Sequence, residues 1–346
     1  LTIGTVIANA IYYKFNGQLT IPEFLVEGGF ITFTVIIFMI FLIRSRYRLT
    51  INEIRLRLEL EESKKIVEEN HKIVVEQKSE IQDQKDSLQL KNQEITDSIN
   101  YAKNIQRALI PSFEKFKISF PESFVLYKPK DIVSGDFYWV HAEDDEVFYV
   151  TADCTGHGVP GGFMTMLGLS FLESIIVGQN EKSPEKILNL MRDKIISALN
   201  QSGSNTENKD GMDITICRFN KKTNELFFSS ANNDLYLIRK KGVEKEMKIF
   251  KGDRQPCGQY IVHKPFTLQN ILLQKEDCIY TFTDGYADQF GGPDGKKFRY
   301  KQFENLLLQN SHLNPNEQCK ILDSSITNWK GTREQVDDML VIGVRF

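Results

Sequence analysis

The chain has 346 residues, of which 41% are hydrophobic and 26% charged, with a formal net charge of -3. That length holds one large domain or two smaller ones plus extra segments, and the interspersed charges offer no concentrated basic face for nucleic acid. The five cysteines (Cys154, Cys217, Cys257, Cys278, Cys319) are odd in number, widely spaced and without a Cys-x-x-Cys pair, which argues against a disulfide framework or a zinc site and for reduced thiols.

The first residue is Leu1, so the sequence is taken as a piece of a longer protein or an incompletely called start. Leu1 to Phe15 is moderately apolar, and 1–23 is left as an uncertain N-terminal segment. From Phe24 to Ile43 the chain is apolar except for Glu27, and about 20 such residues cross a bilayer. Arg44, Arg46 and Arg48 follow at once, so the positive-inside rule puts everything downstream in the cytoplasm. A signal peptide would carry its charge ahead of the apolar run and a small-residue cleavage site behind it. The order here is reversed, and 24–43 is predicted to be a transmembrane helix.

Residues 49–98 are rich in Glu, Lys, Gln and Ile and hold neither Pro nor Gly. Leu60, Val67, Val74, Ile81, Leu88 and Ile95 recur every seventh residue, the pattern of a coiled coil. Asn70, Gln77 and Gln84 occupy the partner seam positions, where polar residues set register and strand number. The spacing predicts a parallel dimeric linker; the plainer alternative is one amphipathic helix lying on the downstream domain. Helical patterning continues over 98–109 and stops at Ile110-Pro111, since the residue before proline is disfavoured in a helix.

Beyond Pro111 the pattern mixes strands and helices. Strand-like runs are Phe124–Tyr127, Phe137–Val140, Val147–Ala152, Asp213–Phe219, Glu225–Ser230, Leu235–Arg239, Cys278–Phe282 and Met339–Phe346. Short polar links such as Glu143-Asp144-Asp145 and Asn220–Asn224 favour antiparallel hairpins. Helical stretches are expected at Gly162–Gly178, Pro184–Gln201, Tyr300–Asn310 and Pro315–Trp329. Hairpins with a few long helices imply an α+β layered sandwich over 99–346, not a parallel doubly wound sheet.

Acidic residues recur where these runs start or stop: Asp136 in Ser134-Gly135-Asp136, Asp153 ahead of the glycine-rich turn Gly156–Gly162, Asp284 in Thr283-Asp284-Gly285, and the pair Asp337-Asp338. Taken singly, each reads as a turn aspartate. Together, carboxylates at strand ends with no accompanying thiolate or imidazole set suit a hard, oxygen-seeking cation such as Mg²⁺ or Mn²⁺. Carboxylates meeting at one rim need such cations to offset their repulsion, and paired ions bridged by a shared carboxylate are a common solution in phosphatases.

The ordered set Ser-Gly-Asp-Phe-Tyr (134–138), Ala-Asp-Cys-Thr-Gly-His-Gly (152–158), Thr-Asp-Gly-Tyr-Ala-Asp (283–288) and Val-Asp-Asp-Met (336–339) resembles the bacterial metal-dependent (type 2C) serine/threonine phosphatases. The subgroup is that of sporulation stage II protein E and the stress-response sigma-factor regulators. The resemblance covers roughly 99–346. It implies a four-layer α-β-β-α sandwich with two Mn²⁺ or Mg²⁺ ions at one end of the sheets, and catalysis by Asp136, Asp153 and Asp284. By the same likeness Asp153 bridges both ions and the carbonyl of Cys154 ligates one. Asp136 completes that ion's shell directly or through water, and Asp284 with Asp337 holds the other. Asp338 is the alternative to Asp337, which the resemblance favours. Asp213 and Asp288 are candidates for a third, weaker cation, or else for capping and turn roles. His157 is either the acid that protonates the leaving serine or a structural turn histidine. Lys128 and Lys130 are candidates for holding substrate phosphate, or plain solvated lysines.

The resemblance further implies a phosphorylated anti-sigma-factor antagonist or similar regulatory protein as substrate. It also makes 98–109 a switch helix near the metal rim. The apolar span and the arginines after it, by contrast, are what place the protein in the inner membrane with its catalytic domain in the cytoplasm. A histidine-kinase ATPase is disfavoured, because the chain lacks Gly-x-x-x-x-Gly-Lys-[Ser/Thr] and has no histidine in 98–109. A non-catalytic scaffold of the same fold is the remaining alternative. Loss of metal aspartates is its usual mark, and none is missing.

Overall fold

The computed structural model describes residues 29–199, 210–242 and 244–346, with scattered positions before residue 25. The chain divides into two units, Leu1–Lys91 and Asn92–Phe346. Helix α1 (Phe30–Leu109) begins in the first unit and ends in the second. Its N-terminal part is long and apolar enough to cross a membrane and is buried by nothing among the described residues. Residues 25–28 of the predicted span lie outside the described residues. A second stretch, Gly158–Gly178, passes the same length-and-composition test, but 50% of it is buried, as befits a core helix. The heptad residues Leu60, Val67, Val74, Ile81, Leu88 and Ile95 stand 56% to 65% exposed. The one buried residue of α1 is Gln106.

In the second unit, α2 (Phe113–Ser119) restarts the helix after Pro111, with the Ser112 hydroxyl accepting from the Lys115 N–H. Strands β1 (Ser123–Lys128), β2 (Asp136–Glu143) and β3 (Glu146–Cys154) follow. Helix α3 (Gly158–Leu172) runs on into a π-helical turn at Glu173–Gly178, and α4 spans Pro184–Ala198. The predicted end of α4 at Gln201 lies outside the described residues. Next come β4 (Gly211–Asn220), β5 (Glu225–Ala231), β6 (Leu235–Lys241), β7 (Glu244–Phe250), β8 (Cys257–Gly258), β9 (Gln269–Leu272) and β10 (Cys278–Phe282). A single helical turn, Gly285–Asp288, precedes the two-residue strands β11 (Phe290–Gly291) and β12 (Lys296–Lys297). Helices α5 (Tyr300–Asn310) and α6 (Pro315–Lys330) lead to β13 (Met339–Arg345). Asn314 caps α6 by accepting from the Glu317 N–H, with Pro315 at the first helical position, the place where a missing N–H costs nothing.

One antiparallel sheet has the order β2-β3-β4-β5-β9, with β8 paired to β4; the other has the order β1-β13-β10-β6-β7. Strand alternation sorts side chains into three cores. Phe137, Trp139, Phe148 and Val150 pack outward with Leu169 and Met191 of α3 and α4. Tyr138, Val140, Val147 and Tyr149 pack inward with Leu237, Ile279, Leu340 and Ile342 of the other sheet. That sheet's outer face, with Tyr280, Phe282 and Val341, meets Phe303, Leu307 and Leu322 of α5 and α6. Three cores separate four layers, giving the α-β-β-α sandwich. Each fully buried Phe, Leu, Ile or Val contributes about 1.5–3 kcal/mol, so the layers hold the strand ends in fixed relation. The start of β2, the ends of β3 and β10 and the start of β13 fall at one edge. There Thr151 and Thr281 meet hydroxyl to hydroxyl between the sheets, 2.6 Å apart.

Candidate active site

Antiparallel register brings three aspartates together. Asp136 pairs directly with Asp153 across β2 and β3, and Asp153 pairs directly with Asp213 across β3 and β4. Directly opposed residues share a face with Cβ atoms about 4.5–5.5 Å apart, and by strand parity that face looks toward the second sheet. The second sheet contributes Asp284 after β10 and Asp337-Asp338 before β13. The Thr283 hydroxyl bridges the sheets, donating to Asp136 Oδ2 at 2.6 Å and accepting from the Leu340 N–H at 3.0 Å.

Glycines let the loops close at this edge. A Cβ on Gly285 would sit 1.9 Å from the Asp338 carbonyl oxygen, so no other residue allows the Asp284 and Asp338 segments to touch. Gly156 and Gly158 have φ of 83° and 65°, the left-handed region in which glycine carries no Cβ penalty.

The carboxylates feel one another. Burial, then the charges of Asp338, Asp337 and Asp284, raise Asp136 well above the usual range against the pull of Thr283. Burial, then Asp136, Asp284, Asp213 and Asp337, raise Asp153. Asp284 is pushed up to about 6 by burial, then by Asp288, Asp337 and Asp213. Asp213 is raised by burial, with Asn232 and Arg254 opposing. Like-charged carboxylates out of water are a donor set in need of cations. All the side-chain donors are oxygens, and burial keeps the Cys154 thiol protonated, so the set fits Mg²⁺ or Mn²⁺ better than a soft metal. Among the described residues no three His, Cys, Asp or Glu side chains form a ready-made metal shell. The rim is a row of donors on neighbouring backbone positions.

Asp337 and Asp338 separate by their partners. Asp338 is 2% exposed; its Oδ1 accepts from the Lys130 N–H and its Oδ2 from the Gly135 N–H, each at 2.7 Å. Asp337 is half-buried, and its carboxylate accepts only from the Asp338 N–H among the described contacts, at 2.9 Å. Asp338 therefore braces the loop that carries Asp136, while Asp337 faces the rim with more freedom.

Other candidates fall where their own contacts hold them. His157 is exposed, with Nδ1 at 2.7 Å from Asp131 Oδ2 and Nε2 at 3.0 Å from Lys130 Nζ. A lysine ammonium only donates, so Nε2 accepts and the ring proton sits on Nδ1. Lys128 turns to Asp323 and Thr327 of α6. Asp288 is paired with Lys297 at 2.7 Å.

Several contributors were not singled out from sequence. Thr283, beside Asp284 in Thr283-Asp284-Gly285, ties Asp136 to the start of β13. Arg254 donates to the Asn232 carbonyl at 2.8 Å, and its charge reaches Asp213. Gln106 (3% exposed) makes a two-way amide contact with Ser134, accepting from its N–H at 3.1 Å and donating to its carbonyl at 2.7 Å. Thr165 also donates to that carbonyl, at 2.9 Å. In Gln106→Leu the orphan is therefore the Ser134 N–H, two residues from Asp136, at a cost of about 1–3 kcal/mol. Urea unfolding should show that loss; unaltered stability would contradict the contact.

Comparison with known proteins follows the same lines. The family description Stage II sporulation protein E (SpoIIE) matches residues 143–346, a stretch holding Asp153, Asp213, Asp284 and Asp337 but not Asp136. Among solved structures, the SiaA-PP2C domain of Pseudomonas aeruginosa is 29% identical, with a TM-score of 0.66 over 74% of this chain and 98% of that one. The PP2C phosphatase domain and regulatory fragment of SpoIIE from Bacillus subtilis is 15% identical, with a TM-score of 0.51 over 65% of this chain and 63% of that one. The RsbU and RsbW domains of a Mycobacterium tuberculosis protein give 16% identity and a TM-score of 0.50 over 65% and 60%. Likeness at such low identity speaks to the fold. No curated protein matches.

Proposed function

The chain belongs to the stage II sporulation protein E family, and we propose on that footing that it is a membrane-anchored protein serine/threonine phosphatase acting on a phosphorylated regulatory protein. The observation that carries the reading is the run Asp136–Asp153–Asp213 in register across three strands, faced by Asp284 and Asp337 from the other sheet. Asp136, Asp153, the Cys154 carbonyl, Asp284 and Asp337 would hold two Mn²⁺ or Mg²⁺ ions, with Asp213 and Asp288 available to a third. Bound there, the cations supply an activated water for in-line attack on phosphorus and offset charge on the phosphoryl oxygens.

The protein's own groups do the positioning. Thr283 occupies one oxygen of Asp136 and leaves the other for the site. Asp338 holds the Gly135 and Lys130 amides, and thus the loop between them. Lys130 brings a cation to the mouth through His157. For His157 to protonate a leaving serine, its Nε2 must first give up Lys130 and gain a proton. The test is phosphate release from a phosphoserine peptide by the full chain in detergent. Turnover that appears with Mn²⁺ and vanishes with chelator supports the enzyme; none at saturating Mn²⁺ favours a scaffold of the same fold.

Two further features complete the reading. The apolar start of α1, followed by Arg44, Arg46 and Arg48, supports anchoring in the inner membrane with the catalytic unit on the cytoplasmic side. The exposed stripe from Leu60 to Ile95 supports a parallel dimer that governs activity through residues 98–109. Because the native cysteines are buried or half-buried, Val74→Cys gives a clean probe. Mild oxidation in membranes is expected to yield a cross-linked dimer, and a chain that stays monomeric would contradict the coiled coil.

A further inference from the structure

At the end of the second sheet away from the aspartates lies a cavity of about 150 Å³, lined by Lys240, Lys245, His312 and Arg345 with Glu276 and Cys278. Cys278 opens β10, whose other end leads to Asp284. Six residues of extended chain separate the two places by roughly 20 Å. The cavity is thus no part of the site described above.

Its charges do not balance. Three basic side chains line it against one carboxylate, and Glu276 is engaged with Lys240 at 3.8 Å. Arg345 donates to the carbonyls of Ser311 and Leu313, and its nearest carboxylate is Glu122 at 3.9 Å. Lys245 donates to the Leu308 carbonyl at 3.5 Å and to His312 Nδ1 at 3.1 Å, and has no carboxylate partner among the described residues. Carbonyls and a neutral imidazole orient these cations without cancelling their charge. Burial lowers the Lys245 pKa, and Arg345 and Lys240 add to this while Cys278 opposes. A histidine that accepts at Nδ1 carries its proton on Nε2, which adds one more donor.

We propose that this cavity binds a small dianionic oxyanion of the phosphate class, held by Lys245, Lys240, Arg345 and His312. The volume equals about five waters at roughly 30 Å³ each, room for one phosphoryl group. Such an anion converts the repulsion among the lysines and Arg345 into charge-assisted hydrogen bonds. Free phosphate and a phosphorylated side chain share this chemistry. The inference stands whether or not the aspartate rim is catalytic.

The test is equilibrium dialysis of the full chain against radiolabelled inorganic phosphate with chelator present, and a phosphoserine peptide as competitor. One saturable site per chain is expected. Lys245→Gln should weaken it about tenfold or more, since a hydrogen bond to a charged group contributes about 1.5–3 kcal/mol. Lys245→Arg should retain it and Asp153→Asn should leave it unchanged. Displacement by the peptide identifies a phosphorylated side chain as the ligand, and displacement by unlabelled phosphate alone identifies the free anion. Equal affinity in wild type and Lys245→Gln, loss of the site in Asp153→Asn, or no saturable binding in wild type would overturn the proposal.

Discussion

Replacing Asp153 by Asn should lower phosphoserine hydrolysis by about 10³-fold or more while making the metal-free protein harder to unfold. The first effect follows from position. Asp153 is the middle member of the row, opposed by Asp136 on one strand and Asp213 on the other, so on the proposed reading it is the carboxylate that two cations would share. Losing a shared ligand forfeits several kcal/mol of charge stabilisation, at about 1.36 kcal/mol per tenfold in rate. The second effect follows from repulsion. Burial and four neighbouring aspartates disfavour the ionised form of Asp153, and a neutral amide of the same shape removes that strain. A gain of about 1 kcal/mol would raise Tm by roughly 2–4 °C in a unit of this size. Activity and thermal unfolding in chelator check both halves. A variant that keeps its activity, or loses activity by unfolding, would contradict the role.

Asp338→Ala and Asp337→Ala should fail differently. Removing the Asp338 carboxylate strips the Lys130 and Gly135 amides of a charged acceptor at a 2% exposed position. Two such bonds at about 1.5–3 kcal/mol each put the loss near 3–6 kcal/mol, a large share of a domain's stability. Asp337 gives up one contact, to the adjacent N–H, so Asp337→Ala should stay within about 1 kcal/mol of wild type while its activity collapses. Denaturant midpoints paired with turnover separate the strut from the ligand. Equal destabilisation by the two substitutions would contradict the assignment.

Much of this architecture was readable because apolar alternation is local. The expected runs at Phe137–Val140, Val147–Ala152, Cys278–Phe282 and Met339–Phe346 sit within one or a few residues of β2, β3, β10 and β13. Strand β7 escaped because Lys and Glu alternate with Met247 and Ile249 on a half-exposed sheet edge, where apolar patterning is weak. Helix α2 escaped behind Ile110-Pro111, although Ser112 is a capping residue and Phe116 enters the inter-sheet core.

The motifs marked the aspartates, but not their neighbours. That Asp213 lies beside Asp153 depends on the β3–β4 register, a pairing of residues sixty positions apart that composition does not reveal. Nothing in Asp337-Asp338 itself says which carboxylate is tied to backbone amides; the distant Lys130 and Gly135 decide it. Lys128 looked free to meet substrate, yet Asp323, far along the chain, holds it. Gln106 resembled any polar position on an exposed helix until Ser134 was seen to pair with it.

Whether the aspartate rim is a metal centre is decided by a Mn²⁺ titration of the full chain, following loss of the free-ion paramagnetic resonance signal. Wild type should hold two ions tightly per chain, and Asp153→Asn at least one fewer. A wild-type chain that leaves all its Mn²⁺ free at millimolar concentration would contradict the metal centre.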